Sequence, residues 1–163
     1  MNGSASWSFR EDDARRIEHL LAGFLREAGA RTAILVDRTG QTLATVGEPP
    51  TFDPVAFASL TAADFSANDQ LARLLGESEF GALFHQGERE SLYLADVARR
   101  VILVVLFDTR TTIGLVKLRV RPAVQALNAV FTALFERTDV SPPQVDAGFL
   151  GEASDEIDKL FGP

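Results

Sequence analysis

Apolar residues recur with two different periods along this chain, and the changes of period lay out its elements. Phe9, Ile17, Leu20, Leu21, Phe24, Leu25 and Ala28 repeat at helical spacing, and Gly29 is placed to end the run in a left-handed turn. Ser8 with Glu11 three residues on has the spacing of a capping box, so the pattern predicts a helix over 9–28. The stretch "TAILVDRTGQTLATVG" then alternates about an Asp37-Arg38-Thr39-Gly40 turn, which predicts a hairpin returning through Thr42–Val46. Gly47-Glu48-Pro49-Pro50 is a connector, since proline has no N–H to give to a ladder.

Asp53-Pro54 is a helix start, an N-cap with proline at the first helical position, and the helix can run to Leu75 with Gly76 as terminator. Leu60, Ala67, Leu71 and Leu74 recur along it and predict a core seam, with Asp64 awkwardly beside them. About 100° around the helix runs a second stripe, Ser59, Ala63, Ser66, Gln70 and Arg73. That stripe is small at its start and polar at its end, as a docking face would be. The high helix propensity of alanine accounts for it equally well.

Gly81–Gln86, Ser91–Val97 and Val101–Phe107 read as three further strands, with turns at Gly87-Glu88 and Arg99-Arg100. The last is apolar at every position, so both its faces should be covered and it should lie centrally. A third helix is expected from Thr112 to Arg137, kinked near Pro122, although Val116–Val120 also alternates like a strand. Ser141-Pro142-Pro143 closes the domain. The expected organisation is a flexible N-terminus over 1–8, one α+β domain over 9–137, a linker over 138–153 and an acidic amphipathic tail over 154–163. In the tail, Ile157, Leu160 and Phe161 fall on one helical face, yet a helix this short is marginal alone and should fold against something else.

The 163 residues are 46% hydrophobic, enough for one core without metal or disulfide. There is no cysteine, which excludes thiolate chemistry and suits a reducing compartment. Net charge is −7, of which residues 138–163 supply −5 (six acidic residues, one lysine). The only basic cluster, Lys117, Arg119 and Arg121, reads as a solvated helix face, so nucleic acid is not an expected partner. The longest apolar run is seven residues, far below the ~20 of a membrane span, and the polar N-terminus is unlike a signal peptide. The expectation is a cytoplasmic protein.

Only two histidines exist, His19 on the first helix and His85 at a strand end, read as structural and turn-stabilising respectively. No zinc ligand set, nucleophile elbow or phosphate-binding glycine loop is present. The acidic runs Glu11-Asp12-Asp13 and Asp155-Glu156 suit a helix start and a solvated tail. The sequence therefore points to no catalytic residues, no metal and no cofactor.

The segments "ILVDRTGQTLAT", "SLTAADFSANDQLARLLGESEF", "HQGERESLYLADVARRVILVVLFD" and "IGLVKLRV" resemble the roadblock family, and within it the MglB-like GTPase-activating proteins. The resemblance spans roughly residues 9–137, with the His85-Gln86-Gly87 turn as its most telling piece, and the tail resembles an acidic Ile-Asp-x-Leu-Phe ending. It implies a five-stranded antiparallel sheet with the first and third helices on one face and the second on the other. It also implies a homodimer joined through the third strand, with Phe80, Ala82, Leu83 and Phe84 at the interface and the second helices side by side. The implied partner is a Ras-like, MglA-type GTPase of bacterial cell polarity and motility, seated on Ser59, Ala63, Ser66, Ala67, Gln70 and Arg73. Activation would position the GTPase's own groups without an arginine finger. Arg99, Arg100 and Arg110 are conceivable fingers but are accounted for as turn or surface residues. Ile157, Leu160 and Phe161 would form a second contact affecting nucleotide release. A response-regulator-like scaffold at a cell pole is a further implied partner. The family favours Gly-Asn where this chain has Ala63-Asp64, and alanine or glycine at Ser66 and Gln70. These departures leave open a scaffold that clusters polarity proteins without activating.

Overall fold

The computed structural model describes residues 9–139 and 159–160. Its elements follow in the order α1 (Glu11–Ala28), β1 (Thr32–Asp37), β2 (Thr42–Gly47), α2 (Pro54–Leu74), β3 (Ala82–Gln86), β4 (Glu90–Val97), β5 (Val101–Asp108) and α3 (Ile113–Asp139). The strands form one antiparallel sheet in the order β2-β1-β5-β4-β3. The uniformly apolar β5 lies in its middle, as expected of a strand covered on both faces.

Alternate side chains of the central strands enter two separate cores. Val101, Leu103, Val105 and Phe107 of β5, with Ala33 and Leu35 of β1, pack under α1 and α3. Ile102 and Val104, with Ile34, Val36 and Leu94, pack under α2, which contributes the buried Ala58 and Phe65 and the partly buried Phe57. The first core holds most of the buried side chains and the second only seven. On the crowded face α1 and α3 run antiparallel, with Arg137 2.6 Å from Asp13 at one end and Arg119 3.8 Å from Glu27 at the other.

Several helix details differ from the pattern-based expectations. The first helix begins at Glu11, two residues late, with Arg10 as N-cap, and the Arg10 N–H donates to the Asp13 carboxylate at 3.3 Å. The Ser8 capping box therefore does not start it, and Ser8 itself lies outside the described residues. Acidic side chains in the first turn already suit the positive end of the helix dipole, so the start does not depend on a serine. Gly29 ends the helix at φ 66°, as its position indicated. Asp53 caps α2 by accepting from the Val55 N–H at 3.0 Å. The third helix continues without a break through Pro122, and Val116–Val120 is helical, not extended. Val116, Val120, Ala123 and Leu127 are buried at helical spacing, and the packing of that stripe overrides the local alternation.

The largest correction concerns α2. Leu60, Leu71 and Leu74, read as a core seam with Ala67, are 70%, 56% and 83% exposed, and Ala67 is exposed as well. The buried stripe is Ala58, Thr61, Phe65, Asn68 and Ala72. Small residues on either side of Phe65 let the helix lie close over β1 and β5, where a row of leucines would hold it off. Phe65 is the one large, fully buried side chain of α2, with Phe57 packed partly buried beside the same core. Phe65→Ala should therefore lower stability by roughly 3–5 kcal/mol in urea denaturation. A loss below about 1 kcal/mol would mean that α2 is held by other contacts.

Candidate partner-binding site on the second helix

With its anchor stripe turned to the sheet, α2 presents two flanks. Leu60, Asp64, Ala67, Leu71 and Leu74 recur at spacings of four and three and lie toward β3. Their direction is fixed by Asp64, whose carboxylate is 2.5 Å from Nε2 of His85 on β3. This pair explains the awkward aspartate and gives His85 a role between elements instead of within its own turn. Asn68 extends the same side by donating to the Phe80 carbonyl at 3.4 Å.

Among the described residues β3 pairs only with β4, so its other edge is open. Ala82 is exposed there, Phe80, Leu83 and Phe84 are half-buried, and Phe84 stacks on Phe107 at 6.0 Å between ring centroids. An unpaired strand edge and an exposed leucine stripe thus adjoin each other, an apolar surface of the kind that marks an interaction site.

The other flank carries Ser59, Ala63, Ser66, Gln70 and Arg73, all exposed. It borders the β1–β2 turn, where a Cβ on Gly40 would lie 3.2 Å from the Ser59 backbone, so the glycine lets turn and helix meet closely. Asp37, buried at the start of this turn, organises it through one oxygen, which accepts from the Thr39 N–H, the Thr39 hydroxyl and the Gln41 N–H at 2.7–3.0 Å. The turn aims Arg38 under α2. Its guanidinium binds Asp69 at 2.7 Å, reaches Asp96 on β4 and lies 4.5 Å over the Phe65 ring. One arginine thereby ties the turn, the helix and the sheet together.

Beside this clamp a cavity of about 410 Å³ opens between Ser66 and Arg73 of α2, the Ser78-Glu79 loop and Arg99 of the β4–β5 turn. That turn is strained, with Ala98 at φ 51° and Arg99 at φ 62°, both in the left-handed region. Such a conformation costs non-glycine residues about 1–2 kcal/mol each. Asn128 holds it by accepting from the Ala98 N–H at 2.8 Å, and Asp96 by accepting from the Arg99 N–H at 3.2 Å. The turn expected at Arg99-Arg100 is therefore centred one residue earlier. Arg100 lies 4.5 Å over the Phe135 ring on α3.

A second charged group sits at the opposite end of the central strands. Arg31 binds Glu48 at 2.8 Å and also Glu90, and Arg110 binds Asp108 at 3.0 Å and Glu48 at 3.3 Å. Hydrogen bonds from Arg31 and Arg110 hold Glu48 below the ordinary carboxylate range, and Arg110 does the same to Asp108. Arg110 is thus engaged within its own protein.

Sequence and structure comparisons agree with this architecture. The Roadblock/LC7 domain profile matches residues 16–107. The chain belongs to the Roadblock/LC7 domain family. MglB of Myxococcus xanthus is 38% identical over 78% of this chain and 95% of its own, with a TM-score of 0.73. The gliding protein MglB of Thermus thermophilus is 36% identical over 77% of this chain and 95% of its own, with a TM-score of 0.72. An MglB with a tetrameric arrangement is similar at 36% identity over 77% of this chain and 94% of its own, with a TM-score of 0.72. No curated protein sequence shows significant similarity to the chain.

In this roadblock chain Ser59, Ala63, Ser66, Gln70 and Arg73, expected to seat a GTPase, share one exposed flank of α2, whereas Ala67, expected with them, lies on the leucine flank; the residues expected at a dimer interface lie at or just before β3. Of the tail residues, Leu160 is helical and exposed, while Ile157 and Phe161 lie outside the described residues. Arg119 and Arg121 are exposed on α3, and His19 is exposed on α1. No helix among the described residues is long and apolar enough to cross a membrane. The Arg38 clamp escaped the sequence reading, because its partners are 31 and 58 residues away and nothing local marks them.

The depressed carboxylates give a pH dependence of definite sign. Groups with lowered folded-state pKa add stability above their unfolded pKa and lose it as pH falls through the folded value. Urea midpoints should thus fall between about pH 5 and about pH 2, and Arg31→Ala with Arg110→Ala should flatten part of that fall. An identical profile in the double variant would remove this network as a cause.

Proposed function

We propose that the chain is a homodimeric regulator of a Ras-like, MglA-type GTPase, acting as a GTPase-activating protein without catalytic residues of its own. The carrying observation is the division of α2 into two exposed flanks. The leucine flank, continuous with the open β3 edge, suits a second copy of the same surface related by a two-fold axis. Strand pairing would satisfy the exposed β3 backbone groups, and the leucines of the two α2 helices would cover each other.

The remaining stripe, from Ser59 to Arg73, is then the surface left to a partner, and its small residues permit close approach of a switch region. Similarity to the MglB proteins supports that partner class. Phe65 does not alter this face, since it is buried toward the sheet. Asp64 is likewise engaged with His85, so the departures that bear on specificity reduce to Ala63, Ser66 and Gln70, all exposed on this stripe. Holding the GTPase's own groups in place is the mode of action that suits such a face, through positioning and not through a donated side chain. The tail, with Ile157, Leu160 and Phe161, acts as a tethered second contact at raised local concentration and affects nucleotide exchange.

Two families of variants separate these roles. Leu71→Asp should convert the dimer to monomer in sedimentation experiments. Ser66→Arg and Gln70→Arg should keep the dimer while lowering GTP-hydrolysis stimulation by at least about tenfold, a loss of about 1.4 kcal/mol. Normal stimulation by both arginine variants would place the GTPase elsewhere, and binding without stimulation by the unaltered chain would show a non-activating scaffold. Removing residues 146–163 should leave folding unchanged and slow nucleotide release from the GTPase; an unaltered release rate would assign the tail no part in exchange.

A further inference from the structure

We propose that the cavity beside α2 is a socket for a carboxylate side chain of the bound GTPase, gripped between Arg73 and Arg99. The proposal rests on the reading of α2 as the partner-binding helix and names the chemistry that the helix selects. Three arginines line the space, but they are not equivalent. Arg38 is already occupied by Asp69 and Asp96. Arg73 and Arg99, by contrast, have no ion-pair partner among the described residues. Two guanidiniums without an ion pair among the described residues therefore border one space about 410 Å³ in volume, with the Glu79 carboxylate on the same wall.

An incoming carboxylate would accept from both, with the Ser66 and Ser78 hydroxyls as further donors at the wall. Among the described residues Glu79 is the one lining carboxylate without a cation, and it competes for the same arginines. The chain carries a net −7, so an acidic partner surface meets general repulsion and would be admitted only where such cations are exposed.

The backbone fixes the position of Arg99. Arg99 occupies a left-handed turn position that glycine would fill without strain, next to another such residue. Side-chain and helix contacts from Asp96 and Asn128 keep the turn in that state. Ala98 and Arg99 are the central residues of a hairpin turn that requires positive φ, so the turn fixes where the Arg99 side chain leaves the backbone.

The test uses the full chain and an MglA-type GTPase in its GTP form, with affinity measured by calorimetry at low and high salt. Arg99→Gly should raise the melting temperature by roughly 2–4 °C as strain is released, and weaken binding about tenfold. Arg73→Gln should weaken binding to a similar extent, and Glu79→Gln should tighten it, with all three effects shrinking at high salt. Unchanged affinity in all three variants would overturn the socket. So would reversed signs, which would mean that the space receives a cation.

A probe that needs no GTPase keeps the two proposals apart. Hexaglutamate titrated into arginine-labelled protein should shift the Arg73 and Arg99 Nε–H signals together, ahead of Arg15 and Arg119. No selective shift would overturn the socket, whatever the GTPase does. A selective shift without any GTPase binding would retain the socket and remove the regulatory function.

Discussion

The whole exposed architecture depends on how little of α2 is buried. The sheet commits one face to two long helices and the other to a single helix that rests on Phe65 and a few small residues. A helix so placed turns less than half its circumference to the core. The remainder must meet water or another protein, and here it is leucine-rich on one side and small or polar on the other. Exposing a row of leucines without a partner is unfavourable by about 25 cal/mol per Å² of apolar surface left in water. That cost makes self-association through this flank physically reasonable.

Rotation of α2 about its axis decides which stripe faces where, and polar contacts on both sides fix that rotation. Asp64 with His85 binds the helix toward β3, while Asp69 with Arg38 binds it toward the β1–β2 turn. These are partly exposed pairs, so each contributes modestly to stability. Their combined effect is directional. They act at opposite flanks, so a turn of the helix in either direction breaks one of them. Stacking of Arg38 on Phe65 links this control of rotation to the hydrophobic anchor itself.

A surface offered to a partner gains from stiffness, because a preorganised face loses less conformational freedom on binding. The strained β4–β5 turn fits the same requirement. It is pinned from both sides, by the carboxamide of Asn128 on α3 and the carboxylate of Asp96 on β4, so the cavity wall it forms is set by the core beneath it. Surface geometry near α2 is therefore inherited from both layers of the protein.

Element type and order were legible in the periodicities, since a 3.6-residue repeat and a two-residue repeat cannot be exchanged without misplacing side chains. Gly29, Asp53-Pro54 and the uniformly apolar Val101–Phe107 marked a helix end, a helix start and the central strand through local chemistry alone. The facing of α2 was not legible. Leu60-Ala67-Leu71-Leu74 and Ala58-Phe65-Ala72 share one helical period, and spacing specifies a stripe without saying what it touches. Only the assembled sheet, with a space that admits one aromatic ring flanked by small residues, chose between them. The Arg38 clamp and the Asp64–His85 pair belong to the same class, because they join residues 21 to 58 positions apart that the chain brings together only after it folds.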